Sequence, residues 1–243
     1  NDNAELAKTV ADDLADTAWR LREKMFAVTP IQPVAEAVKA AATALAENRQ
    51  PVVLADYSDR SGNATWLLRE VIEQDLGGVV VATLRDDRTL TALTEAGAKA
   101  GDAFDREVGG YIDESAGEPV RVEGVLARVN TDDDGRVRSA QVRFGRGNLL
   151  MLSPQLVQII DPESLRAEGV EIERYQVFAI KSRVHFRRGF DDNGFAETIL
   201  LVEPPGPFMG TVHLDALEYE NLRVGDYYPF SEKEGKGSKD STD

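Results

Sequence analysis

Val52-Val53-Leu54-Ala55-Asp56 leads into the polar stretch Tyr57-Ser58-Asp59-Arg60-Ser61-Gly62-Asn63-Ala64-Thr65, after which Trp66, Leu67, Val71 and Ile72 recur at helical spacing. The short unbroken apolar run reads as a buried strand, and the later spacing as one face of a helix. Val79, Val80, Val81 and Leu84 form another β-rich run, and a helix is predicted from about Arg88 to Ala100. Strand–helix–strand–helix order favours parallel pairing with right-handed crossovers. The expected fold class is therefore α/β: a layered, open, partly parallel mixed sheet with flanking helices and an inserted β-ribbon.

Upstream, Leu6, Val10, Leu14, Ala18 and Leu21 recur near every fourth residue with Trp19 beside the stripe, predicting an amphipathic helix that Asp2 can cap. Thr29-Pro30 and Gln32-Pro33 interrupt it, because proline lacks an amide donor and disfavours helix in its predecessor. A second helix follows, with Val34, Ala37, Val38, Ala41 and Leu45 inward. Downstream, Val120 to Val129 and Val137 to Phe144 read as the β-ribbon, turning at Asn130-Thr131-Asp132-Asp133-Asp134-Gly135. Short apolar runs follow at Leu149 to Leu152, Leu156 to Ile160, Tyr175 to Ile180 and Glu197 to Val202. Asp161-Pro162 starts a short helix that stops near Gly169. The expected organisation is a helical junction segment over 1–50, an α/β domain over 51–230 with a β-rich portion at about 118–160, and a disordered tail over 231–243.

The 243 residues include 28 basic and 43 acidic side chains, for a net charge of −15. A hydrophobic content of 42% supports a packed core and excludes wholesale disorder. The acidic balance argues against non-specific nucleic-acid binding, which needs concentrated Lys and Arg. No apolar run approaches the length of a membrane span. A soluble protein is expected, with the cytoplasm favoured. With no cysteine, disulfides, thiolate metal sites and a cysteine nucleophile are excluded; His185 and His213 alone cannot make a multi-histidine metal site.

Chemistry can sit at two strand ends. Ligands of open α/β sheets gather beyond the carboxyl ends of parallel strands. A helix starting near Thr65 would offer amides to a carboxylate or phosphate, with Ser61 and Asn63 orienting it and Gly62 permitting close approach. Asp56 and Asp59 would fix the loop or meet a cationic group. Equally open at this point is an ordinary turn with a helix cap. The second candidate is Lys181-Ser182-Arg183-Val184-His185-Phe186-Arg187-Arg188, a basic cluster directly after an apolar run. Lys181 or Arg183 would clamp a carboxylate, and His185 would carry a proton or donate to an oxyanion. A solvated loop paired with surplus acids fits these residues as well.

Other signals point to structure. His213 and Asp215 would share one face of an extended segment, but one pair makes no metal centre. Asn130, Asp132, Asp134 and Gly135 imitate a calcium loop, yet position twelve is Gln141 instead of Glu and the flanks read as strands. Gly109-Gly110 and Gly145-Arg146-Gly147 mark turns or close backbone approach, and Trp66 and Phe186 read as core wedges.

Val52 to Asp56 with its polar loop, Lys181 to Phe190, the run Ala196-Glu197-Thr198-Ile199-Leu200-Leu201-Val202-Glu203-Pro204-Pro205-Gly206-Pro207 and Tyr227-Tyr228-Pro229-Phe230 together resemble the C-terminal part of the microcystin-degradation protein C family, the MlrC-like metallopeptidases. The resemblance runs from the first helix to about Phe230. It implies a two-part design in which an N-terminal domain or subunit carries catalytic zinc and the C-terminal part closes the cleft. By resemblance, Asp56, Asp59, Asn63 and Thr65 form one cleft wall and Lys181, Ser182, Arg183 and His185 the other, with no metal ligand among them. The family's first loop is usually longer and richer in glycine than Ser58 to Thr65, which leaves substrate class open.

The resemblance implies a zinc-dependent amidohydrolase or metallopeptidase acting on a peptide or small amide. This chain is expected to bind substrate carboxylate, to be inactive alone, and to form oligomers or a complex with the zinc-bearing part. The alternative is a non-catalytic small-anion-binding or protein-interaction domain, and a third reading is a purely structural subunit.

Overall fold

The computed structural model describes residues 3–27, 30–57, 59, 61–203 and 217–227. Two compact units emerge: Asn1–Pro30 with His213–Asp243, and Ile31–Val212. The first contains α1 (Ala4–Ala27), whose Leu6, Val10, Leu14 and Leu21 form an exposed apolar stripe. Asp2, the expected cap, lies outside the described residues, and Asn3 Oδ1 accepts from the Leu6 N–H at 2.9 Å. Among the described residues, no helix is long and apolar enough to cross a membrane. The sequence over 231–243, with His213 and Asp215, also lies outside them.

The second unit is built on one mixed sheet of β1 (Ile31–Pro33), β2 (Val52–Asp56), β3 (Val79–Arg85), β4 (Ala103–Val108), β5 (Val120–Thr131), β6 (Val137–Phe144), β7 (Asn148–Ser153), β8 (Val177–Ile180) and β9 (Thr198–Glu203). Its order is β1-β9-β2-β8-β3-β7-β6-β5-β4. The pairings from β1 through to β7 are parallel, and those joining β7, β6, β5 and β4 are antiparallel. The predicted ribbon is β5–β6, and it extends the same sheet. It meets the parallel half through β7, whose Leu150 pairs with Val142 on one side and with Val81 on the other.

Alternation along the central strands explains why they are apolar throughout. Val52, Leu54, Val79, Val81, Val177 and Ala179 point to one face, where α2 (Val34–Ala46), α3 (Trp66–Glu73) and α4 (Asp87–Glu95) contribute Ala37, Val38, Leu68, Leu90 and Leu93 to the core. Val53, Ala55, Val80, Ala82, Phe178 and Ile180 point to the other, against Leu165 of α5 (Pro162–Ala167), Ile172, Phe186 and Phe190. Both faces are covered, as parallel strands require. Phe186 is the core wedge expected of it, and Trp66 packs partly buried against the first core.

Several boundaries differ from expectation. Strands β1 and β4 had no strong apolar run to announce them. Helix α4 ends at Glu95, well before Ala100, because Gly97 turns the chain with φ +59°. Leu156 to Ile160 is not a strand: the Val157 carbonyl accepts from Thr83 Oγ1 at 2.8 Å instead of joining a ladder, and only Ile159 reaches the core. Asn130 and Thr131 belong to β5, and the turn is confined to Asp132–Arg136, with Asp132 Oδ1 accepting from the N–H groups of Asp134 and Arg136. Asp161 caps α5 by accepting from the Ser164 N–H, and Gly169 at φ +80° ends it.

Candidate functional site

Strands β2 and β8 are parallel neighbours with Ala55 opposite Ile180, so Asp56 and Lys181 leave the sheet side by side at its carboxyl edge. The loops after them converge on Asp59. Its Oδ1 accepts from the N–H groups of Ser61 and Gly62 and from Ser61 Oγ, each at 2.9 Å. Its Oδ2 accepts from the Ala64 N–H at 3.2 Å and from Lys181 Nζ at 2.5 Å. Lys181 Nζ also donates to the Ala64 carbonyl at 3.1 Å and lies 3.7 Å from Asp56 Oδ2. Asp56 Oδ1 accepts from the Asp59 N–H at 3.1 Å, closing the loop on itself.

The opposed charges of this pair outweigh its burial. Removal from water would raise the Asp59 carboxyl, but the Lys181 charge and the hydrogen bonds from Lys181, Ser61 and Gly62 hold it below the ordinary carboxylate range. Burial would likewise lower the Lys181 ammonium, and the charges of Asp59 and Asp56 hold it above its usual value instead. Both groups stay ionised at neutral pH. The Lys181 ammonium is surrounded by the protein's own acceptors, so it ties the two loops together and does not reach outward as a clamp.

Asn63 and Thr65 are also turned inward. Asn63 Nδ2 donates to the Arg85 carbonyl at 2.5 Å, and its Oδ1 accepts from the N–H groups of Tyr111 and Ile112. Thr65 precedes α3 without capping it. Its Oγ1 hydroxyl lies 2.7 Å from the Glu118 carbonyl and 3.2 Å from that of Ala116, and its N–H donates to Ala116 as well. The segment Ser115–Pro119 thus packs against the start of α3, its carbonyls also accepting from the Trp66 indole N–H and the Arg69 guanidinium. Gly109, at φ +64°, lets the backbone approach: a Cβ there would stand 2.6 Å from Thr65 Cγ2 and 2.9 Å from the Asn63 carbonyl. Ser182 Oγ accepts from the Phe186 N–H at 3.2 Å, starting the turn that buries Phe186.

Arg183 and His185 face outward more than these. Arg183 Cζ lies 4.0 Å from the centre of the Tyr57 ring, and its Nε donates to the Tyr57 carbonyl at 3.3 Å. His185 is exposed, and its Nδ1 lies 3.1 Å from Gln158 Oε1. Ser58 and Arg60 lie outside the described residues. Among those described, no three His, Asp, Glu or Cys side chains are grouped to hold a metal ion. The carboxylates of Asp56 and Asp59 are engaged by Lys181 and backbone N–H groups, so the described residues of this chain do not fit zinc.

Two organising residues escaped the sequence reading. Asp86, at the end of β3, caps α4 through Thr89 and accepts from the Gly109 N–H at 2.9 Å. Its signal was present: an Asp directly before a helical run is a preferred N-cap. Gln158, which meets His185, carried no signal, because nothing local relates positions 27 apart.

Residues 58–221 match the sequence profile of the MlrC C-terminus. The chain belongs to the MlrC C-terminus family. It is similar to Microcystinase C of Sphingomonas sp, with 27% identity over 206 residues that cover 80% of this chain and 40% of that protein. Its fold is similar to that of a proposed metallopeptidase from Mesorhizobium sp. BNC1, with a TM-score of 0.62 and 19% identity, covering 86% of this chain and 45% of the other. The MlrC C-terminus chain thus spans less than half the length of either relative.

Proposed function

We propose that this MlrC C-terminus chain is the cleft-completing part of a zinc-dependent amidohydrolase or metallopeptidase. Zinc would be carried by a separate N-terminal domain or subunit, and the chain alone would be inactive. The observation that supports this reading is the locked pair of loops after β2 and β8. Asp59 and Lys181 fix them at the sheet edge where α/β proteins bind ligands.

In this reading each residue has a distinct task. Asp56, Asp59, Ser61, Asn63, Thr65, Ser182 and Lys181 shape and hold the substrate wall. Arg183, braced by Tyr57, meets the carboxylate of a peptide or small amide through charge-assisted hydrogen bonds. His185 directs Nε2 toward the reacting carbonyl while Gln158 holds Nδ1, and donates to the negative charge that develops on oxygen.

The test is amide hydrolysis measured on this chain with and without a separately supplied N-terminal partner, alongside metal analysis of the complex. Hydrolysis that needs both parts, zinc and His185 is the expected result. Equal, zinc-independent activity with and without the partner overturns the assignment. A complex that binds carboxylates but hydrolyses nothing replaces it with an anion-binding domain.

A further inference from the structure

The apolar face of α1 lies open. Apart from Thr17 and Arg22, every α1 residue whose side chain is described is exposed, including Leu6 at 59%, Val10 at 50%, Leu14 at 64%, Leu21 at 44% and Met25 at 65%. Helices in water gain most of their stability by packing such a face against another element. Ala7, Val10, Leu14, Thr17 and Leu21 follow one another in alternating steps of three and four. That spacing aligns them as one seam along a helix of 24 residues, about 36 Å at roughly 1.5 Å per residue. It is the seam of a helix that packs lengthwise against one other helix.

Charge along α1 selects the occupant. As far as Asp16 the helix carries Glu5, Asp12, Asp13 and Asp16 against Lys8 alone; beyond it stand Arg20, Arg22 and Lys24 against Glu23 alone. Two copies laid side by side in the same direction would set acid against acid. Turned end for end, they set the acidic half of each against the basic half of the other. We propose that α1 pairs antiparallel with α1 of a second copy of this chain. A two-fold axis passing between Ala15 and Asp16 seats Val10 against Leu21 of the second copy and Leu14 against its Thr17, each contact occurring twice. Leu6 and Met25 close the ends of the seam. Asp13 and Arg20, seven residues apart, flank the seam on one side, and the same axis brings Asp13 of each copy to Arg20 of the other. Within its own helix Arg20 bridges Asp16 at 3.0 Å with 64% of its side chain exposed, which leaves the guanidinium open to a second carboxylate. The pairing rests on this helix and not on the hydrolase reading.

Sedimentation velocity of the 243-residue chain over a hundredfold range of concentration tests the inference. A reversible dimer is expected. Leu14→Ser together with Leu21→Ser should weaken it tenfold or more without changing the thermal midpoint of the dissociated chain, because both side chains are exposed there. Asp13→Arg and Arg20→Asp should each weaken the dimer severalfold, most clearly at low salt. Combined in one chain they should restore it, since the exchange recreates both ion pairs. A monomer at every concentration overturns the proposal. Protected α1 amides in that monomer would give the stripe to another part of this chain, and a complex formed only on adding a separate N-terminal domain would give it to that domain. A dimer that survives the two serine substitutions places the contact elsewhere, and a doubly exchanged variant that stays weak rejects the antiparallel arrangement.

Discussion

Lys181 Nζ lies 2.5 Å from Asp59 Oδ2, joining loops 122 residues apart in the chain, and both side chains are almost wholly excluded from water. The pair fixes the separation of two strand ends that would otherwise carry independent loops. Removing one partner leaves a buried charge without its counterpart. Lys181→Met should therefore destabilise the protein by about 3–5 kcal/mol in urea unfolding. Arg187→Ala, which breaks the more exposed Arg187–Asp191 pair, should cost no more than about 1 kcal/mol.

The same pair predicts two limbs in the pH dependence of stability. The Asp59 contribution is complete above the unfolded carboxylate value of about 4 and is lost as pH falls through its lower folded value. The Lys181 contribution is complete below about 10.4 and is lost as pH rises through its higher folded value. Denaturation midpoints between pH 3 and 11 should show both limbs in the parent. Asp59→Asn should flatten the acid one, and an unchanged acid limb in that variant would assign it to other carboxylates.

Glycine substitutions separate crowding from backbone strain. Gly135→Ala places a Cβ in open space at φ +77°, so its cost should be the left-handed penalty of roughly 1–2 kcal/mol. Gly109→Ala adds to a similar penalty a collision with Thr65 and Asn63 and should lower the thermal midpoint considerably more. Equal midpoints for the two variants would mean that the Asn63–Thr65 corner yields.

Asn63 ties three segments through its side-chain amide. Asn63→Leu leaves the Arg85 carbonyl and the Tyr111 N–H without these partners, at roughly 1–3 kcal/mol for each buried group left unsatisfied. Amide hydrogen exchange should speed up at Tyr111 and Ile112 before it does in β2.

His185 offers the complementary case. Being exposed, it contributes little to folding, so His185→Ala should leave the thermal midpoint within about a degree of the parent. In the two-part hydrolysis assay it should lower kcat by about a hundredfold or more, the usual effect of removing one oxyanion donor. Unchanged turnover would remove His185 from the chemistry.

The central strands, their crossover helices and the ribbon were legible because each is written locally. Val52 to Ala55 and Val79 to Val81 are apolar at every position, and Asn130 to Gly135 is dense in turn formers. Strand β1 has only three residues, and β4 alternates Asp105 and Glu107 with Phe104 and Val108, so neither rises above its surroundings. Their pairing comes from partners far along the chain: Ile31 with Leu201, and Phe104 with Gly124. At the site, the residue types and both strand ends could be read, but Thr65 as a helix cap could not survive the arrival of Ala116 and Glu118.

By itself, then, the sequence determined the α/β class, the two polar strand ends and the family resemblance, since hydrophobic period and residue chemistry act over a few neighbouring positions. Only the tertiary structure decided that β8 lies beside β2, and that Lys181 is paired with Asp59 while Arg183 and His185 remain nearer solvent. Those outcomes depend on which distant segments meet and exclude water, and that competition among buried charges, hydrogen bonds and packed surfaces has no local signature.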